Sequence, residues 1–103
     1  MEKNKIYTIN SREYYLRYDI EAVSNIERST GRPVVELIQA VPTIDTLRVY
    51  LASGMFNEDN NKLSATSGKD VALEIIKQKG IAAAFGDFVE QLLEDCAFLF
   101  PGV

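Results

Sequence analysis

"IERSTGRP", residues Ile26–Pro33, decides between two architectures. A Gly, a Pro, two Arg and two hydroxyls in eight positions suit either a phosphate-cradling loop or a junction between helices. Upstream, Ile20, Ala22, Val23 and Ile26 recur at helical spacing, and Asp19 stands where an N-cap belongs. Gly31 then occupies the C′ position, free to turn left-handed. Pro33 takes the first position of the next helix, where its missing N–H costs nothing. A phosphate loop carries more glycines and follows a strand. The stretch therefore reads as a helix stop followed by a helix start, and the chain beyond Asp19 reads as helical.

On the N-terminal side, "KIYTINSREYYLRYD", residues 5–19, reads as a β-hairpin. Ile6–Ile9 and Tyr14–Tyr18 are β-branched and aromatic, and Asn10-Ser11-Arg12 supplies the turn. Ser11 accepts positive φ less readily than glycine, which predicts a longer or bulged connection. Tyr14, Leu16 and Tyr18 alternate with Tyr15 and Arg17, so one face is expected to be buried.

On the C-terminal side, "PVVELIQA" forms a short second helix that Pro42 ends. Thr43 caps a third helix with Ile44, Leu47, Tyr50 and Leu51 inward, stopped by Gly54. "MFNEDNNKLSATSG", residues 55–68, reads as a polar loop long enough to move or to make contacts. Ser67 and Asp70 resemble a capping box for a fourth helix with Val71, Ile75 and Ile76, closed by Gly80. The last helix runs from Ile81 towards Leu99 and ends at Pro101-Gly102. The fold class is α+β, mostly helical: an N-terminal β-hairpin packed on four to five α-helices, in a single domain over residues 1–103. The expected core is Ile6, Leu16, Val23, Ile26, Leu37, Leu47 and Leu51, joined by Val71, Ile75, Phe85, Phe88, Leu92 and Leu93.

Composition narrows the function classes. The chain has 103 residues, with 11 Lys and Arg against 15 Asp and Glu, a net charge of −4. That balance disfavours nucleic acid, whose binders carry a basic stripe to displace counterions. With no histidine, Ser-His and Cys-His pairs and His metal ligands are excluded. The single cysteine, Cys96, makes neither an internal disulfide nor a cysteine-rich zinc site. No run of about 18 apolar residues exists to span a membrane. "MEKNKIYTI" lacks the apolar segment of a secretory leader, so a cytoplasmic protein is expected.

Three constellations fail on inspection. "SGKD", residues 67–70, has Leu63 where a P-loop needs its first glycine and Asp70 where it needs Ser or Thr. "NEDNNK", residues 57–62, lacks the ligands and glycine of a calcium loop. Glu90 and Glu94 share a helical face with Asp95 adjacent; they read as a solvated face rather than an acid–base pair. The last helix is richer. Ile81, Phe85, Phe88, Leu92, Cys96 and Leu99 form an apolar stripe, widened by Ala84, Val89, Leu93 and Phe100. Such a stripe is usually core, yet this one is broad for a helix ending a small domain. Phe85, Phe88, Leu92, Cys96 and Leu99 are therefore the candidate partner-binding residues.

The order of segments resembles the tail assembly chaperones of long-tailed bacteriophages, especially of Gram-positive hosts and prophages, and the related small proteins of gene transfer agents. In that family a hairpin of the form "ING-K-x-Y-x-L-x-F-D" leads into a helix ending "LE-x-x-TG-[KR]". Tyr14, Leu16, Tyr18, Asp19, Ile26, Glu27, Thr30, Gly31 and Arg32 occupy those positions here. Ser11 departs from the family's glycine, and Ile26 from its leucine. The specific matches lie in residues 6–38; the C-terminal half matches in helical character only. The resemblance implies a non-enzymatic morphogenesis protein of the bacterial host cytoplasm that binds the tape measure protein, with the tail tube protein as a further expected partner. It implies no cofactor, metal, nucleic acid or membrane, and leaves self-association open. The alternative is a completion or connector subunit that stays in the virion; an enzyme using Glu90 and Glu94 and a DNA-binding regulator are less favoured.

Overall fold

The computed structural model describes residues 5–101, so Gly102, expected to help end the last helix, lies outside the described residues. β1 (Ile6–Ile9) and β2 (Arg12–Leu16) form the expected hairpin. Ile9 pairs with Arg12 and Ile6 with Tyr15, which leaves a connection of only Asn10 and Ser11. Their φ angles are 52° and 67°. Two successive positive values make a type I′ turn, whose twist matches that of the strands it joins. The expected longer or bulged turn is thus corrected: strand twist imposes the primed turn, and Ser11 adopts it without glycine.

Directly paired residues share a face, so this register decides which side is buried. Tyr7, Ile9 and Leu16 point into the core. Ile6, expected inside, lies on the opposite parity and is 57% exposed. The segment after Gly54 is also corrected. Met55–Asn57 is not loop but a third strand, β3, antiparallel to β2. It occupies the edge of β2 that the hairpin alone would leave unpaired. The chain then folds back on itself. Asn57 Oδ1 accepts from the amides of Asp59 and Asn61, and Leu63 N–H donates to the Met55 carbonyl at 3.0 Å. On the outer face, Phe56 is covered by the Tyr15 ring at 5.5 Å and the Arg17 guanidinium at 4.3 Å.

The helical part begins at α1 (Ile20–Thr30), where Asp19 caps the N-terminus by accepting from Ala22 N–H at 2.8 Å. Gly31 ends it at φ 71°, donating to the Glu27 carbonyl. The Glu27 side chain reaches over the junction and accepts from Val34 N–H at 2.9 Å. It thereby satisfies the first amide of α2 (Val34–Leu37), with Pro33 at the N-cap, one position earlier than expected. Thr43 caps α3 (Ile44–Ser53). Leu47, Tyr50 and Leu51 are buried, while Ile44, expected inward, sits in the first turn and is 50% exposed. Ser64, not Ser67, caps α4 (Ala65–Lys79), its hydroxyl accepting from Ser67 N–H; the expected box lies inside the first turns. After Gly80 comes α5 (Ile81–Asp95), followed by a 3-10 turn over Ala97–Leu99. Packing of α3 against α1, α4 and α5 builds one core around Ile26, Leu47, Leu51, Ile75, Phe88 and Leu92. Val71 and Leu93 pack at its margin, half-buried.

Two glycines serve different physics. At Gly31 a Cβ would meet nothing within 4 Å, so only its left-handed backbone demands glycine. At Gly54 a Cβ would lie 2.5 Å from the buried Tyr18 ring. Gly31→Ala should cost about 1 kcal/mol. Gly54→Ala should cost roughly 2–3 kcal/mol, because a hydrogen-bonded ring cannot yield. Urea unfolding of both variants tests this; equal losses, or the reverse order, would contradict the two origins.

Candidate functional site: a cationic groove beside the core

The structure relocates the residues expected to meet a partner. Phe88, Leu92 and Cys96 are fully buried, Phe85 is 8% exposed, and Leu99 is half-buried against the same cluster. The Phe88 ring stacks on Tyr50 at 4.8 Å and meets Tyr18 edge-on at 5.3 Å. The Cys96 thiol donates to the Tyr18 carbonyl, and burial raises its pKa. This corrects the expectation of a free strip built from these side chains. The stripe is broad because α5 packs on both α3 and α4, which consumes its width inside the domain.

The carboxylates of α5 have structural partners. Glu90 lies 3.0 Å from the Lys5 ammonium, an ion pair between chain ends that helix spacing could not reveal. Asp95 accepts from Tyr18 N–H at 2.9 Å and from the Gln91 amide. Glu94 is exposed. Sequence reasoning missed Asp87, which is 8% exposed and accepts from the Tyr7 hydroxyl at 2.8 Å while pairing with the Lys79 ammonium. Lys5 stands 3.8 Å away. Burial, then the Asp87 bond, pushes the Tyr7 phenol far up; the hydrogen bond to Glu90, then Asp87, raises Lys5. These shifts hold the phenol protonated and the ammonium charged, the reverse of what a tyrosine or lysine base needs. The cluster joins β1 to α4 and α5 and acts as a clamp. Among the described residues no group of three or more His, Cys, Asp or Glu could hold a metal ion.

The open concavities lie elsewhere, along α1 and α3. One depression of about 470 Å³ has Val49, Ala52, Leu63 and Ala65 among its walls, with Arg28, Lys62 and Lys69 around them. A second, of about 660 Å³, continues past the shared residues Ser29 and Val49 to Leu37, Val41, Pro42 and Tyr50. No carboxylate lines the first depression; Glu36 and Asp45 line the second. None of the residues lining either depression belongs to the five named from the α5 stripe. Sequence periodicity could not find this site, because Arg28, Lys62 and Lys69 come from three segments whose proximity depends on β3 and the return after it. The chain matches no protein-family model, no curated protein and no solved structure.

The clamp has two testable consequences. Asp87→Ala, which leaves the buried Tyr7 hydroxyl without its acceptor and unpairs the exposed Lys79, should lower stability by roughly 1–3 kcal/mol in urea unfolding; a neutral result would show that the clamp carries no stability. Alkaline pH should also weaken the fold. Tyr7 and Tyr18 have pKa values raised above the ordinary 10.0. The fold therefore favours their neutral forms. That stabilisation is complete below about pH 10 and is lost as pH rises towards their folded-state values. Urea midpoints should fall between pH 8 and pH 11, and fall less in Tyr7→Phe; equal pH sensitivity would exclude Tyr7 as a source.

Proposed function

We propose that this protein is a non-enzymatic tail assembly chaperone of a long-tailed bacteriophage or prophage, holding the tape measure protein while the tail is built. The observation that carries the reading is the pattern across residues 6–38. Several of its identities have specific backbone work: Asp19 caps α1, Gly31 turns left-handed, and Glu27 satisfies the first amide of α2. Thr30 Oγ1 donates to the Ile26 carbonyl at 2.9 Å. A likeness made of such residues transfers a fold and a role rather than a catalytic site. An open apolar groove rimmed by charge supports the same role. A chaperone must cover an aggregation-prone helix and later release it to the assembling tube, which requires a modest interface.

The test is co-expression with the tape measure protein encoded in the same genome. The tape measure protein should become soluble and co-elute, and this chain should be missing from purified finished particles. A tape measure protein that stays insoluble would overturn the proposal. Stoichiometric retention in particles would assign the chain to the tail structure instead.

A further inference from the structure

We infer that the depression between α1, α3 and the start of α4 is a docking groove for an acidic amphipathic helix of a partner protein. The charge around it runs against the rest of the molecule. The chain carries a net −4, yet Arg28, Lys62 and Lys69 line this depression without one carboxylate. Most other cations of the described residues sit beside an acid: Lys5 by Glu90, Arg32 by Glu36, Arg48 by Asp70, Lys77 by Glu74 and Lys79 by Asp87. Arg28, Lys62 and Lys69 have no ion pair among the described residues. Arg12 and Arg17 have none among them either, but neither lines this depression, and Arg17 lies over the Phe56 ring.

Nearby carboxylates are engaged elsewhere. Asp70, next to Lys69, lies 3.9 Å from Arg48. Glu27, next to Arg28, accepts from Val34 N–H. Glu58 accepts from Glu13 N–H across the sheet. The three cations thus face outward around half-buried Val49 and Leu63 with no internal counter-charge. A wall of Val49, Ala52, Leu63 and Ala65, interspersed with Asn25, Ser29 and Ser53, under a cationic rim is complementary to a helix carrying leucine-type side chains on one stripe and Glu or Asp beside it. About 470 Å³ accepts several side chains but not a whole helix, so the partner lies across the opening. Single-stranded nucleic acid would need stacking platforms, and no aromatic residue lines this depression.

The inference does not depend on the phage reading, and its test omits the tape measure protein, so either can fail alone. A fluorescein-labelled peptide of about 20 residues, with Leu at i, i+3, i+4 and i+7, Glu on the flanks and Gln opposite, is titrated against the whole chain. A twin peptide carries Lys in place of Glu. The Glu peptide should bind, weaken with added salt, and shift amide resonances of Val49, Ala52 and Leu63. Arg28→Glu/Lys62→Glu/Lys69→Glu should weaken it about tenfold or more while circular dichroism stays unchanged. Lys62→Gln/Lys69→Gln is the milder variant should the triple fail to fold, with a smaller loss in the same direction. No binding of the Glu peptide, equal binding of the Lys twin, insensitivity to both variants, or shifts mapping to another face would each overturn the proposal. So would a dimer of the free chain that the charge reversals dissolve, since the groove would then serve a second copy.

Discussion

Tyr18 is the residue through which the two halves of the fold are locked. It lies between β2, which ends at Leu16, and α1, which begins at Ile20 after the Asp19 cap, and every polar atom it owns is used. The hydroxyl donates to the Tyr50 carbonyl at 2.9 Å, the amide to Asp95, and the carbonyl accepts from the Cys96 thiol. The ring lies against Phe88 and over Gly54. One residue thereby joins the sheet, the end of α3 and the end of α5. A buried phenol without an acceptor is costly, so the ring position dictates where α3 must present a free carbonyl. Gly54 follows from the same constraint, since any Cβ there would displace the ring. With α3 ended by that close approach, the chain emerges beside β2 and pairs with it.

That pairing reshapes the surface. Once Met55–Asn57 closes the open edge of β2, the return through Lys62 and Leu63 is drawn against α1 and α3. The groove is therefore a by-product of sheet completion. The same compaction consumes the apolar stripe of α5. A small domain buries little of its surface, so a wide stripe is needed simply to close the core from two sides. The large apolar residues that stay exposed are scattered rather than gathered on α5: Ile6 on β1, Ile20 at the start of α1, Val35 on α2, Val41 and Ile44 around the start of α3, and Phe98 in the turn after α5.

Electrostatics divides the molecule in a similar way. Internal pairs, above all Asp87 with Lys79 and Tyr7, fasten the start of the chain to its last two helices. Burial and the Asp87 hydrogen bond raise the Tyr7 phenol, and the hydrogen bond to Glu90 raises the Lys5 ammonium, so both favour rigidity over proton transfer. Of the cations without an ion pair among the described residues, Arg28, Lys62 and Lys69 gather around the α1–α3 groove, while Arg12 and Arg17 lie on the sheet side. On the docking proposal, a cationic recess in an acidic chain would favour helices that carry both acidic and apolar side chains.

Legibility followed the range of the interactions. The Asp19 cap, the left-handed Gly31, the Thr43 cap and the hairpin strands were readable because each depends on neighbours within a few residues. The two-residue turn was misjudged because strand twist, not the preference of Ser11, selected it. Ile6 was placed inside because composition identifies a strand but not which parity faces the core. β3 and the groove were invisible: a three-residue strand has no periodicity to detect, and Arg28, Lys62 and Lys69 are brought together only when that strand pairs. Local sequence by itself determined the α+β class, most of the helices and those ends set by a nearby cap, such as Asp19, Gly31 and Thr43, since such hydrogen bonds are settled by adjacent residues. Which faces are buried, which charges are neutralised and where a partner can lie were decided only by the tertiary structure, because burial and pairing are properties of segments far apart in the chain.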